Sequence, residues 1–110
     1  MRLANKTALI TGGNSGIGLG IRVNQVTPGG TKTPIWSSFA PTDNAITALE
    51  PRIARGTPLG RMSDADEIAK AALYLASDDA SNVTATEIVV DGGTTGAPYG
   101  APIHTGLSGR

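Results

Sequence analysis

The connection between the first two predicted strands limits the fold of this chain more than any other feature of the sequence. A short apolar run at residues 7–10, ended by Thr11 and two glycines, is typical of a buried strand. Residues 21–26 alternate apolar and polar side chains before Pro28, and they predict a second strand. Only residues 11–20 lie between them, whereas a crossover between parallel strands needs about 10–12 residues including its helix. We therefore expect the two strands either to pair antiparallel or to persist as fragments of a parallel sheet with exposed edges.

After the second strand, the sequence predicts a lid, a strand and a tail. Residues 31–57 are punctuated by prolines, and within this lid a helix is predicted from about Thr42 or Asn44 to Arg55. The lid also carries two large aromatic side chains, Trp36 and Phe39, which either touch substrate or make ordinary hydrophobic contacts. Residues 87–91 predict a third strand that closes at two glycines. A tail containing glycine and proline follows over residues 94–110.

A second helix is the most regular element that the sequence predicts. Ser63 is the expected N-cap, with Asp66 three residues later, and the helix should end near residue 77. Carboxylates in this first turn suit capping and the helix dipole better than paired acid–base chemistry, which assigns Asp64, Asp66 and Glu67 a structural role. The apolar positions predicted to share its buried face are Ile68, Ala69, Ala72, Leu73 and Ala76.

Composition excludes several classes of function. Lys plus Arg and Asp plus Glu both number 9, so no net charge favours nucleic acid or an anionic membrane surface. Cysteine is absent, and the only histidine, His104, has no partner ligand in the sequence, so no metal site is expected. Neither a signal peptide nor a membrane span is predicted, and we expect a cytoplasmic protein. The arginines Arg52, Arg55 and Arg61 are interpreted as a solvated face.

A glycine-rich loop follows the first strand and carries the strongest chemical signal. Residues 11–18, Thr-Gly-Gly-Asn-Ser-Gly-Ile-Gly, precede a predicted helix start, where backbone N–H groups and the helix dipole bind phosphate. Glycines at such positions let the backbone approach a pyrophosphate and adopt positive φ. The loop has neither the Walker lysine nor the G-x-G-x-x-G spacing, and matches Thr-Gly-x-x-x-Gly-x-Gly. Taken alone, it is equally well an ordinary glycine turn.

Two further segments make the pattern more specific. The first of them, residues 24–33, has the sequence Asn-Gln-Val-Thr-Pro-Gly-Gly-Thr-Lys-Thr. The second comprises residues 58–61, 66–78 and 89–93, and it ends in Val-Val-Asp-Gly-Gly. In this order, the three segments resemble the nucleotide loop, the Pro-Gly segment and the carboxyl-terminal helix and strand of the short-chain dehydrogenase/reductase family. The resemblance implies an α/β fold, a remnant of a Rossmann-like doubly wound parallel sheet with about three strands and two to three helices.

The resemblance also implies the domain organisation and the site. Residues 1–110 would form a single truncated NAD(P)-binding domain, with a glycine-loop segment at 1–20, a carboxyl-terminal segment at 21–93 and the tail. NAD or NADP would be the cofactor, and a small carbonyl or alcohol the substrate. The residues implied for the adenosine and pyrophosphate part are Gly12, Asn14, Ser15, Gly16, Ile17 and Gly18. Those implied for the nicotinamide end are Pro28, Gly29, Thr31 and Thr33.

The catalytic pair of the resembling family is missing. Its reaction uses a tyrosine and a lysine four residues later, whose charge lowers the pKa of the phenol. Tyr74 and Tyr99 are the only tyrosines here, and Asp78 and Ile103 stand four residues after them. No catalytic residue is therefore assigned, and we interpret the sequence as carrying an internal deletion near Gly20.

Three functions remain open at this point. The first is a catalytically impaired NAD(P)-dependent oxidoreductase. The second is a non-catalytic nucleotide-binding or interaction module, which forms a homo-oligomer or pairs with a full-length relative through the final helix and strand. The third is a non-functional deletion product.

Overall fold

A computed structural model of the chain describes residues 8–13, 20–34 and 43–106. Within these ranges the fold is α/β, with a main sheet, a small second sheet and helices packed beside them. The strands are β1 (Ala8–Gly13), β2 (Ile21–Pro28), β3 (Thr31–Lys32), β4 (Ser63–Asp64) and β5 (Glu87–Val90). The helices are α1 (Asp43–Arg55), α2 (Ala65–Ala76) and α3 (Pro102–Thr105), and 3₁₀ turns cover Asp78–Ala80 and Pro98–Gly100.

The main sheet combines one parallel and one antiparallel pair, in the order β1-β2-β5. β2 and β5 run parallel, as the family resemblance implies, with Pro28 opposite Val90 at their carboxyl ends. β1 runs antiparallel to β2, with Gly13 opposite Ile21, so of the two arrangements left open by the sequence the antiparallel one is present. The short strands β3 and β4, which the sequence does not predict, form a separate parallel pair.

Strand β2 lies at the centre of the sheet, and its burial has the predicted period of two, although the apolar residues Ile21 and Val23 are only partly buried. Asn24, Val26 and Pro28 are buried, while the residues between them are partly exposed. The buried amide of Asn24 is satisfied on both sides: its Nδ2 donates to the carbonyl of Val83 at 2.9 Å and its Oδ1 accepts from the N–H of Thr86 at 3.2 Å. This polar residue therefore fixes the 83–86 loop beside the strand without leaving an unpaired group.

Helix α2 provides most of the apolar core. Val26, Ile68 and Leu75 are fully buried together, and the partly buried side chains packed against them are Ala71, Ala72, Val83, Ile88 and Val90. The predicted buried face was partly wrong, because Leu73 is 69% exposed and Ala76 is also exposed. At about 100° per residue, the spacing i, i+3, i+4 and i+7 from Ile68 leads to Leu75, whereas Leu73 points away from this face.

The amino end of α2 begins one residue later than the sequence predicts. Asp64, and not Ser63, is the N-cap, and it forms a capping box with Glu67 and not with Asp66. The Glu67 carboxylate accepts the N–H of Asp64 at 2.9 Å and two bonds from the Arg61 guanidinium at 2.7 and 2.8 Å. Arg61 is exposed, as its assignment to a solvated face predicts, and it is also paired with Glu67. These bonds, first the one from Arg61 and then the one from Asp64, lower the pKa of Glu67 from 4.5 to about 2.

We expect Glu67→Ala to lower the free energy of unfolding by about 1 kcal/mol at neutral pH, because the capping box and the Arg61 contact are both lost. Since the pKa of Glu67 is depressed to about 2 in the folded chain, its contribution is complete above pH 4.5 and is lost as the pH falls toward 2. The difference between variant and parent should therefore shrink as the pH falls below 4.5 and be small at pH 2, where about half of the Glu67 carboxyls are protonated. Urea unfolding at several pH values measures it.

Asp66→Ala is the matched control, because it removes a carboxylate from the same helical turn without removing the capping box. We expect a loss of no more than about 0.5 kcal/mol from weaker dipole complementarity. Equal losses for the two variants at neutral pH would contradict the role given to Glu67.

The predicted helix of the lid is confirmed as α1. It continues through Pro51, although prolines were interpreted as interruptions of this segment. Trp36 and Phe39 lie outside the described residues. The predicted tail is partly ordered, since Ala101 and Pro102 are buried at the start of α3. None of the described helices has the length and apolar character that crossing a membrane requires.

Candidate functional site

A cleft of about 340 Å³ opens where β2 and β5 end. Parallel strands present their carboxyl ends at one edge of a sheet, which is where open α/β folds bind ligands. The loop after β2, the carboxyl end of α1 and the loop after β5 form its walls. The lining residues that matter for its chemistry are Pro28, Gly29, Arg52, Thr57, Asp91 and Thr95.

Gly29 holds the two loops of the cleft in close contact. Its N–H donates to the carbonyl of Val90 at 2.9 Å, which extends the parallel ladder by one residue. A Cβ at this position would lie 2.5 Å from the Cβ of Asp91 and 2.8 Å from its Cα. The site therefore requires glycine because the backbone of the neighbouring loop occupies the space of a side chain.

Asp91 orders the loop on the β5 side of the cleft. Its two carboxylate oxygens accept the N–H groups of Gly93 and Thr95, each at 2.9 Å. Burial raises the pKa of Asp91, but bonds from the Thr95 hydroxyl and from the N–H groups of Thr95, Gly93 and Thr94 outweigh it, and the pKa lies below its usual value. The carboxylate is consequently ionised and engaged with its own loop at neutral pH.

The two threonines predicted for the nicotinamide end lie on or beside β3. Thr31 is fully buried, and its hydroxyl donates to the carbonyl of Gly29 at 3.0 Å. The hydroxyl oxygen of Thr33 is buried and has no hydrogen-bond partner among the described residues. Neither threonine is among the described residues that line the cleft, whereas Pro28 and Gly29 are.

Gly12 and Gly13, which begin the glycine loop, lie at the other end of β2. Gly12 pairs with Arg22, six residues before Pro28, and six residues of extended strand span about 20 Å. Asn14, Ser15, Gly16, Ile17 and Gly18 lie outside the described residues. Because β1 runs antiparallel, its carboxyl end reaches the amino edge of the parallel pair and not the edge that carries the cleft.

The residues present therefore fit one half of a dinucleotide and not the whole of it. The cleft offers polar side chains of both signs, Arg52 and Asp91, beside two loops that Gly29 holds in close contact. A pyrophosphate on the glycine loop would have to be bound at this same edge, but Gly12 and Gly13 pair with residues at the opposite one.

Of the six lining residues named above, four were not predicted as site residues from the sequence: Arg52, Thr57, Asp91 and Thr95. One signal was available for Asp91, because it is the last residue of the strand predicted at residues 87–91, and ligands bind at the carboxyl ends of parallel strands. Arg52 gave no such signal, since its place in the cleft depends on how α1 packs. Tyr74 is 43% exposed and Tyr99 is 80% exposed, and neither is among the described residues of the cleft.

Comparisons with known proteins agree with these observations. The family model described as enoyl-(acyl carrier protein) reductase matches residues 14–95. The chain is 38% identical over 98 residues to 2,3-dihydro-2,3-dihydroxybenzoate dehydrogenase of Escherichia coli (strain K12), which covers 86% of this chain and 40% of that protein. It is 45% identical over 76 residues to the uncharacterized oxidoreductase YxbG of Bacillus subtilis (strain 168), covering 67% of this chain and 28% of that protein.

Solved structures show the same partial likeness. The ligand-free aldohexose dehydrogenase of Thermoplasma acidophilum matches with a TM-score of 0.63 at 30% identity, over 67% of this chain and 31% of that one. The chain thus spans 40% or less of the length of these relatives. The fold agrees with the matching part of a Rossmann-like enzyme.

Proposed function

Because the chain belongs to the short-chain dehydrogenase/reductase family, we propose that it is a truncated NAD(P)-dependent oxidoreductase that keeps nucleotide binding and has lost turnover. The proposed ligand is a nicotinamide nucleotide in the cleft between the ends of β2 and β5. Pro28 and Gly29 would lie against it, and Thr31 and Thr33 would support it from β3. We further propose that the chain acts in the cytoplasm, as a homo-oligomer or beside a full-length relative.

The position and build of the cleft carry this proposal. It lies at the carboxyl edge of a parallel strand pair, and Gly29 brings the loop after β2 against Asp91 with no room for a side chain. A ligand in the cleft would therefore lie beyond the carboxyl ends of parallel strands, where open α/β sheets bind nucleotides. Gly12, Asn14, Ser15, Gly16, Ile17 and Gly18 stay predictions for the pyrophosphate part.

Loss of turnover follows from the residues that the chain lacks. Hydride transfer to a carbonyl leaves a developing alkoxide, which needs a proton donor and a stabilising charge within hydrogen-bond reach. The sequence contains no Tyr-x-x-x-Lys. A nucleotide held in the cleft would therefore have no partner for the second half of the reaction.

Titration of the purified chain with NADH and NADPH, followed by nicotinamide fluorescence, tests binding, and absorbance with a panel of carbonyl compounds tests turnover. We expect saturable binding without turnover. Escherichia coli 2,3-dihydro-2,3-dihydroxybenzoate dehydrogenase, assayed with its own substrate, is the positive control for the assay. Turnover at a rate comparable to that of a full-length relative would overturn the loss of catalysis. Absence of saturable binding would overturn the nucleotide function and favour a non-functional product.

A further inference from the structure

We infer that the cleft is a mononucleotide site, in which the nicotinamide mononucleotide half of the cofactor binds and the adenosine half adds no affinity. This inference rests on the proposed function and specifies its ligand. It depends on three observations: the direction of β1, the size of the cleft and the placement of Arg52.

The direction of β1 is imposed by the length of its connection to β2. Residues 14–20 are the only residues between Gly13 and Ile21. A parallel arrangement would need at least about 10–12 residues for the crossover and its helix. Antiparallel pairing over six consecutive residues then fixes Gly12 opposite Arg22, about 20 Å along the strand from Pro28. The short connection between the two strands, and not a weak local conformational preference, therefore keeps Gly12 away from the cleft.

The size of the cleft agrees with a ligand smaller than a dinucleotide. Its volume of about 340 Å³ lies near the lower end of the range of roughly 300–1,000 Å³ that small-molecule sites occupy. A dinucleotide consists of two nucleotides of similar size. Its second nucleotide would therefore extend outside the cleft. Gly12 and Gly13, the described glycines of the loop, pair at the opposite edge of the sheet.

Arg52 gives the cleft a phosphate partner. It lies in the last turn of α1 and is the only cation among the described lining residues, while Asp91 is the only anion. Asp91 already accepts the N–H groups of Gly93 and Thr95, so its charge is directed into its own loop. The exposed guanidinium of Arg52 is therefore the group suited to bind the phosphate of a mononucleotide.

Calorimetric titration with nicotinamide mononucleotide and with NAD, combined with amide chemical-shift mapping, tests the inference. We expect the two dissociation constants to agree within about threefold, because the second nucleotide makes no ordered contact. The shifts should include Gly29 and Thr95 and should exclude Gly12. Binding of NAD about 30-fold tighter than the mononucleotide, with shifts at both Gly12 and Gly29, would overturn the inference and leave the proposed function intact. Absence of binding by either ligand would overturn both.

Substitution of Arg52 separates the phosphate contact from the rest of the site. Arg52→Ala should weaken nicotinamide mononucleotide about tenfold, the loss expected for a charge-assisted hydrogen bond at a partly open site. It should leave the binding of nicotinamide riboside, which lacks the phosphate, unchanged. Arg55→Ala is the matched control, because Arg55 lies one turn later and lines a second cavity instead. Equal weakening of both ligands by Arg52→Ala, or weakening by Arg55→Ala, would overturn the assignment of the phosphate to Arg52.

Discussion

Leu75→Ala should lower the free energy of unfolding by about 2–5 kcal/mol, as large-to-small changes in a packed core do. Leu75 is fully buried with Val26 and Ile68, where α2 crosses the sheet. Small domains bury a small share of their surface and are marginally stable, so a loss of this size unfolds a large fraction of the chain. The hydrogen bond from the Arg22 guanidinium to the carbonyl of Leu75, 2.7 Å long, needs no leucine side chain. Urea unfolding followed by far-ultraviolet circular dichroism measures the change.

Leu73→Ala is the matched control for this experiment. Leu73 belongs to the same helix and is the same residue type, but its side chain is 69% exposed. Its replacement should change the unfolding free energy by no more than about 0.5 kcal/mol. If Leu73→Ala and Leu75→Ala were equally destabilising, the face of α2 that packs on the sheet would be wrongly assigned.

Local patterns in the sequence were enough to place the main elements. The alternation before Pro28 predicted β2, and the apolar spacing after Ser63 predicted α2, because burial on one face imposes these periods. The cap position was wrong by one residue, since Ser63 and Asp64 are both good N-caps and each has a carboxylate, Asp66 or Glu67, three residues further on. Only the contact from Arg61, which lies outside the helix, favours the Asp64 and Glu67 pair.

The small strands and most of the cleft could not be predicted from local patterns. β3 and β4 are two residues long, and they pair because the loop after β2 meets the start of α2, where the Ser63 N–H donates to the carbonyl of Gly30 at 2.9 Å. Arg52 reaches the cleft through the packing of α1. Such contacts join residues far apart in sequence, and no periodic signal reports them. Pro28 and Gly29 were predicted from the family resemblance, and both line the cleft.

The short connection between β1 and β2 changes where the first glycines of the glycine loop lie in the sheet. A glycine loop predicts phosphate binding when its strand is parallel to the neighbouring strands and a helix follows. Here the motif keeps its residues, but antiparallel pairing places Gly12 and Gly13 beside Arg22 and Ile21. The number of residues available for the crossover therefore limits the direction of β1, and counting these residues left two arrangements open, of which the antiparallel one is present.

Gly29→Ala should destabilise the chain by about 1–3 kcal/mol and should close or distort the cleft. The new Cβ would meet the Cβ of Asp91 at 2.5 Å and its Cα at 2.8 Å, and a main-chain atom cannot turn aside as the end of a side chain can. The loops after β2 and β5 would have to separate, which weakens the bond from the Gly29 N–H to Val90. Urea unfolding measures the stability, and titration with nicotinamide mononucleotide measures the cleft.

Gly96→Ala makes the same chemical change where there is room for it. A Cβ at Gly96 would have nothing within 4 Å, and Gly96 has no positive φ. Its replacement should be neutral or slightly stabilising, because alanine restricts the unfolded chain more than glycine does. Gly29 also has no positive φ, so the backbone angle does not by itself separate the two sites. A difference between the variants would therefore report the approach of Asp91 alone, and equal stabilities would show that the two loops of the cleft are not in contact.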